Sequence, residues 1–327
     1  MPHDPAQQAI RIGTMVDGLG DAPGWIRQTL PHGFESFQVS FWQNTGDKDL
    51  DRLAGDVGDT LAGSGAVLSS LGVFGNPLEH DDDAERTRQG WRDLIDAAPR
   101  FGVDLVCGFA GRLNDRPIHE SMPRFAEVFG PLAARADDVG VRLAFENCDM
   151  GGNWGRGHWN IAHDPRAWEM MFNVLDAANV GLEWEPCHQM VSLIEPVAQL
   201  KKLLPTGKVF HLHGKDATIH WDRVREHGIH TFRGNDGAAE HGVAPAPPYV
   251  EHRTPGFGDT DWIEVFDALR RHGYTGFVDI EGFHDPVYVD ALEMTGQVHA
   301  LGYLKRCRGG DFVPNPVPAP APGSVSG

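Results

Sequence analysis

No stretch of this 327-residue chain stays apolar for the ~20 residues that a membrane-spanning helix needs. Positive charge is also scarce. Lys and Arg number 28 against 46 Asp and Glu, a net charge of −18, and this excludes a nucleic-acid surface, which needs a basic face. The opening residues Met1-Pro-His-Asp-Pro5 carry no basic segment followed by an apolar one, so no secretory leader is expected. Cysteine is sparse: Cys107, Cys148, Cys187 and Cys307 are far apart and form no Cys-x-x-Cys pair. In a chain of this size they read as reduced thiols, and the expected location is cytoplasmic. No Gly-x-Gly-x-x-Gly turn follows the first expected strand, so a Rossmann-type nucleotide site lacks its fingerprint.

What is present is a long α/β alternation. At 41% hydrophobic residues the chain can bury one large barrel or two ordinary domains. Strands are predicted at 11–17, 34–42, 66–74, 103–109, 141–148, 180–187, 208–216 and 276–283. Helices are predicted at 22–30, 50–61, 81–98, 123–139, 165–177, 194–204, 260–272 and 287–307. The clearest is 123–139, where Phe125, Val128, Phe129, Leu132, Ala133 and Ala136 recur at three and four. Asp259 or Thr260 is the expected cap of the helix at 260–272. Residues 217–258, rich in His, Pro and Gly, form a connection long enough to be a functional lid. Eight strand–helix units point to a (β/α)8 TIM barrel spanning 8–308 as one catalytic domain, and the Pro-rich residues 312–327 read as a disordered tail.

Side chains alternate between the faces of a strand. In such barrels, chemistry sits at the C-terminal strand ends. Four strand ends here turn charge inward: Glu146 on the fifth, Glu183 and Glu185 on the sixth, His211, His213 and Lys215 on the seventh, Asp279 and Glu281 on the eighth. Their apolar neighbours Leu143, Phe145, Leu182, Trp184, Val278 and Ile280 face the helices. Carboxylates crowded inside a barrel must be paired or must hold a cation. One alternative is an ion-pair network, with Glu146 held by Arg142 or Lys215. Three carboxylates and an imidazole converging on one mouth suit a divalent metal, Mn²⁺ first, with Mg²⁺, Co²⁺ or Zn²⁺ also compatible.

In chain order come Glu146 in Ala-Phe-Glu-Asn, the acid-x-x-His pair Glu185 and His188, His213-Gly-Lys-Asp216, Arg253-Thr-Pro-Gly-Phe-Gly258 and Asp279-Ile-Glu281. This set resembles the xylose-isomerase-like sugar isomerase/epimerase superfamily, TIM barrels that also include ketose 3-epimerases, inosose dehydratase and endonuclease IV. The resemblance implies metal ligation by Glu146, Glu185, His213 and Glu281, with His188 and Arg253 holding substrate oxygens. Position 185 usually carries Asp in that superfamily. Glu185 is one methylene longer, which leaves Glu183 as an alternative ligand. A narrower resemblance rests on residues 146–154, 181–190, 252–259 and 279–288. These look like the α subunit of bacterial C-glycoside deglycosidases, which act on 3-oxo-C-glucosides with a small β-rich partner subunit.

The resemblance implies an enzyme that removes a proton beside the carbonyl of a keto-sugar, either a lyase of 3-oxo-C-glycosides or an isomerase/epimerase. Glu146 and Glu281 are the candidate base and acid, with His188 or Lys215 as alternatives. Trp154, together with Trp42 and Trp159, offers flat faces for a sugar or aglycone. His211 and His284 are further substrate candidates. Cys148 and Cys187, two residues after Glu146 and Glu185, read as small barrel filler rather than thiolate ligands. A homo-oligomer is compatible with either reading. An endonuclease IV-like phosphoesterase conflicts with the acidic charge, and a non-catalytic sugar-binding barrel conflicts with its full set of inward acids.

Overall fold

Ten strands and ten α-helices make up the computed structural model, which describes residues 10–229 and 247–310. Eight strands close a parallel barrel: β1 (Arg11–Asp17), β2 (Ser36–Trp42), β3 (Val67–Phe74), β4 (Leu105–Gly108), β5 (Arg142–Glu146), β6 (Val180–Trp184), β7 (Val209–Gly214) and β10 (Phe277–Ile280). Each strand pairs with its sequence neighbour in the barrel, and β10 closes between β7 and β1. The (β/α)8 expectation is met. The region matched to the tail, 312–327, lies outside the described residues, as do 230–246 of the long connection.

The strand pleat sorts side chains into two layers. Val141, just before β5, and Leu143 and Phe145 within it point outward into the packing between sheet and helices. There Phe145 meets Phe129 of α4 (Ile118–Asp138) at a ring-centroid distance of 4.7 Å, and Trp91 of α3 (Asp82–Phe101) meets Phe129 at 5.2 Å. These edge-to-face contacts are the preferred aromatic geometry and lock α3 and α4 to the barrel wall. Ala144, Cys107, Leu105, Phe74 and Phe210 fill the barrel interior instead.

Helix starts follow local capping. Asp49 caps α2 (Leu50–Leu61), Asp81 caps α3 and Asp164 caps α5 (Pro165–Val174), each accepting from a first-turn N–H. Neither expected residue caps α9 (Trp262–Arg271). Asp261 does, accepting from Glu264 N at 2.9 Å. Asp259 instead accepts from Ile219 N, which pins the strand that follows β7. α4 begins five residues ahead of its expected start, with Pro123 inside it.

The described parts of the long connection are structured. β8 (Asp216–Ile219) pairs antiparallel with β9 (Val250–Arg253), and α8 (Trp221–His227) follows β8. This small sheet sits beside the barrel mouth because buried Asp216 accepts from Thr260 N at 3.0 Å and from Trp262 Nε1 at 3.0 Å.

Candidate active site

Strand six ends sooner than its charge pattern suggests. β6 stops at Trp184, Glu185 is extended, and α6 (Pro186–Val191) starts with Pro at its first position, where the missing N–H costs nothing. Cys187 and His188 therefore lie on a helical turn, not on the strand. The acid-x-x-His spacing then places Glu185 and His188 on one side of that turn, with Glu185 Oε1 and His188 Nε2 3.2 Å apart.

Polar side chains inside the barrel form two tiers. In the lower tier, His211 bridges two carboxylates: Nδ1 lies 2.9 Å from Glu183 Oε1 and Nε2 2.9 Å from Asp279 Oδ2. Ser36 and Ser69 also donate to Asp279, and Gln38 donates to Glu183 and Ser70. Gly13 makes room for this tier, since a Cβ there would lie 2.2 Å from Asp279 Oδ1. Burial opposes charge on His211, but its bonds to Asp279 and Glu183 outweigh it and raise its pKa.

The upper tier holds Glu146, Glu185, His213 and Glu281, whose ligand-type atoms all lie within 4.8 Å of one another. His213 Nδ1 is 3.7 Å from Glu146 Oε1, 3.4 Å from Glu185 Oε2 and 3.5 Å from Glu281 Oε2. Donors about 2.1 Å from a common ion stand roughly 3.0–3.5 Å apart at octahedral or tetrahedral angles. His213 Nδ1, Glu185 Oε2 and Glu281 Oε2 are buried and make no hydrogen bond. Orphaned polar atoms converging in this way are costly unless an ion satisfies them. The donor set, three carboxylates and one imidazole, therefore fits a divalent cation.

The lower tier also orients the imidazole. Gln38 commits its amide N–H groups to Glu183 and Ser70, so its oxygen accepts from His213 Nε2 at 2.7 Å. That leaves the Nδ1 lone pair facing the carboxylates. Replacing Gln38 with Leu should free this ring and weaken divalent-metal binding about 10–100-fold, as loss of a ligand's hydrogen-bond partner commonly does. Isothermal titration of metal-free protein checks it, and unchanged affinity would refute the orienting role.

Lys215 Nζ lies 2.9 Å from Glu281 Oε1 and 3.4 Å from Glu185 Oε1. Burial raises the Glu281 carboxyl, yet Lys215 and His284 bring its pKa down to about 2. Burial drives Glu146 the other way, well up, reinforced by the charges of Glu185 and Glu281 against the pull of His213. Burial likewise opposes charge on Lys215, which Glu185 and Glu281 nonetheless hold well above its usual value.

A cavity of about 1010 Å³ opens over the upper tier. Its wall carries charged and titratable side chains, among them Asp17, Asp21, Glu146, His188, His213, Lys215, His252, Glu281 and His284. The same wall carries Trp25, Trp42, Phe74, Phe109 and Phe283, with Met15. Trp159 backs Trp42 at 5.6 Å between centroids.

Glu146, Glu185, His213, Glu281, Lys215, His188 and His284 are thus brought together as the sequence reading expected, with His284 Nδ1 3.0 Å from Glu281 Oε1. Three candidates lie elsewhere. His211 is fully buried one tier below, between Glu183 and Asp279, and is not part of the cavity wall. Arg253 turns to Asp285, Nε to Oδ2 3.1 Å, away from the cavity wall. Trp154 packs under the Arg166 guanidinium at 4.3 Å, outside that wall. The alternative ligand Glu183 belongs to the lower tier, so Glu185 is the strand-six member of the cluster. Alternate residues of β9 face opposite ways, and His252 rather than Arg253 enters the cavity. His252 was the nearer signal to read, one residue before the motif's arginine. Gln38 gave none, because an inward Gln on a strand is ordinary.

A closed parallel barrel with a polar cluster at the C-terminal mouth defines the class, and sequence comparison gives the family. The chain belongs to the xylose isomerase-like TIM barrel family, whose profile matches residues 26–307. It is 25% identical over 189 residues to inosose dehydratase of Bacillus thuringiensis (strain Al Hakam), aligned over 55% of this chain and 56% of that protein. It therefore spans just over half the length of that relative. Among solved structures, 3-keto-D-glucoside 4-epimerase from E. coli superposes with a TM-score of 0.63 at 14% identity, over 91% of this chain and 100% of that one. D-psicose 3-epimerase from Clostridium cellulolyticum H10 gives 0.62 at 16% identity, over 91% and 99%. The named relatives are enzymes that modify sugars and similar compounds. No helix among the described residues is long and apolar enough to cross a membrane.

Proposed function

We propose that this chain is a divalent-metal-dependent lyase. It removes the proton beside the carbonyl of a 3-oxo-C-glycoside and releases the aryl aglycone by breaking the sugar–aryl carbon–carbon bond. The observation that carries this reading is the cavity over the upper tier, whose wall mixes charged and aromatic side chains. Its volume, about 1010 Å³, is at the top of the roughly 300–1,000 Å³ range of drug-sized ligand sites. The charged side chains suit an oxidised sugar, and the aromatic ones suit a flat aglycone.

Glu146, Glu185, His213 and Glu281 would hold the ion, Mn²⁺ by preference for the oxygen-rich set. A divalent cation bound there supplies Lewis-acid polarisation of a carbonyl. The rest is done by side chains. The C2–H bond breaks, with Glu146 or Glu281 as base, and the electron pair forms the C1–C2 double bond as the C1–aryl bond breaks. The departing aryl carbon takes a proton from the other acid or from His188, which faces the cavity within 3.6 Å of Glu146. Lys215 holds Glu281 in place. Trp42, with Trp159 behind it, is the expected stacking face for the aryl ring.

If the second acid returned the proton to carbon instead, the same site would act as an isomerase or 3-epimerase. That reading leaves the aromatic side chains of the wall unused. A dehydratase and a 3-keto-D-glucoside epimerase among the relatives support chemistry next to a carbonyl without separating the two outcomes. The resemblance to deglycosidase α subunits also implies a small β-rich partner. The test is incubation of Mn²⁺-loaded protein, in deuterated buffer, with a 3-oxo-C-aryl glucoside and with free ketoses. Release of the aglycone carrying deuterium at the carbon once bonded to the sugar supports the lyase. Turnover of ketoses alone would replace it with the isomerase.

A further inference from the structure

Glu185 points its two carboxylate oxygens into different surroundings. Oε2 belongs to the cluster around His213. Oε1 instead accepts from Cys187 Sγ at 2.6 Å and lies 3.2 Å from His188 Nε2. Beyond the thiol, Cys187 Sγ is 3.4 Å from His252 Nδ1. Ligand-type atoms of Cys187, His188 and His252 all fall within 4.8 Å of one another, a grouping separate from the four-residue cluster.

This second grouping has the chemistry of a softer site. A sulfur at about 2.3 Å and an imidazole nitrogen at about 2.1 Å from one ion stand roughly 3.6 Å apart at tetrahedral angles, close to the observed Cys187–His252 separation. His188 is 3% exposed, and neither ring nitrogen makes a hydrogen bond. Its nitrogens approach carboxylates without hydrogen-bond geometry, Nε2 at 3.2 Å from Glu185 Oε1 and 3.6 Å from Glu146 Oε1, Nδ1 at 3.5 Å from Asp149 Oδ1, which leaves room for a better-placed partner. The three residues come from α6 and from β9, so the site forms only where the small sheet meets the turn after β6.

We propose that Cys187, His188 and His252 form a second metal site, for a thiolate-accepting divalent ion of the Zn²⁺ class, with Glu185 standing between it and the carboxylate cluster. Binding forms the sulfur–metal bond as the S–H bond breaks, and the proton leaves to solvent. Occupancy takes His188 out of the cavity wall, so Zn²⁺ acts as an inhibitory ion on protein already loaded at the carboxylate cluster. The site is independent of which reaction that cluster serves.

The test is Co²⁺ titration of the metal-free full chain followed by absorption. Carboxylate and imidazole ligation gives no sulfur-to-cobalt charge-transfer band in the near ultraviolet, whereas a thiolate ligand does. Two equivalents should bind, one of them silent in that band and the other raising it. Cys187→Ser should lose the band and one equivalent while keeping the silent one. His252→Ala, which leaves the thiol in place, should weaken binding of the band-forming equivalent and covers the case in which the serine variant misfolds. No band at any stoichiometry, or a band unchanged in Cys187→Ser, would overturn the proposal. A single equivalent that does raise the band would uphold this site and instead sink the carboxylate-cluster reading.

Discussion

Glu281→Gln reduces turnover about 1,000-fold or more while the barrel stays folded. The carboxylate is removed from three tasks together. It is one of the four donors of the upper tier, a candidate acid or base, and the nearest anion to Lys215. Loss of acid–base catalysis alone is worth roughly 10²–10⁴-fold, and the weaker amide donor adds to it. Stability responds differently. Glutamine fills the same volume, and its oxygen still accepts from Lys215, which also retains Glu185 at 3.4 Å. What is lost is the charge on the contacts to Lys215 and His284, each a charge-assisted hydrogen bond of about 1.5–3 kcal/mol at most. Against that, the variant relieves repulsion among three buried carboxylates. A thermal melt should move by only a few degrees, and circular dichroism should be unchanged. Turnover within tenfold of the parent would remove Glu281 from the chemistry. A lost fold would show instead that the carboxylate is a structural anchor.

Much of this site was legible because barrel strands obey a period of two. Once Phe145, Trp184 and Ile280 are assigned to the helix side, Glu146, Glu185 and Glu281 have nowhere to go but inward. The same rule placed Glu183, His211 and Asp279 inward, but parity alone does not say at what height. The structure separates the tiers by hydrogen bonding, and His211 moves from candidate substrate ligand to a bridge beneath the site. Turns hid the rest. Pro186 converts a strand end into a helix start, and this brings His188 back over Glu185. Near the C-terminus, an expected long helix from 287 begins only at α10 (Glu293–Arg308). Asp285 intervenes, accepting from Val287 N and Tyr288 N and turning the chain before the helix begins. Its second oxygen captures Arg253 and Thr254 N, which is why the motif's arginine serves loop geometry rather than the cavity. Such long-range side-chain capture leaves no periodic trace in a sequence.

Chelation should be as damaging as the substitution, yet reversible. Exhaustive treatment with a divalent-metal chelator is expected to lower turnover to about one-thousandth or less, and Mn²⁺ should restore it. Without a cation, Glu146, Glu185 and Glu281 crowd His213 Nδ1 at 3.4–3.7 Å with Lys215 as the nearby fixed positive charge. A proton on His213 partly substitutes. Burial opposes it, but Glu183, Glu146 and Glu185 hold this imidazole well above its usual pKa. A proton and an ion therefore compete for one nitrogen, and metal affinity should weaken as pH falls. An ion that binds only the folded chain adds about 2.7 kcal/mol when present at 100 times its dissociation constant. The metal-free protein should accordingly melt several degrees lower, with the difference growing as Mn²⁺ is raised and shrinking in acid. Full activity in chelator, with a melting temperature indifferent to Mn²⁺ at every pH, would mean that the four converging side chains are a self-contained ion-pair network. The orphaned atoms of Glu185, His213 and Glu281 argue against that outcome, because a network without an ion has no reason to leave them unbonded.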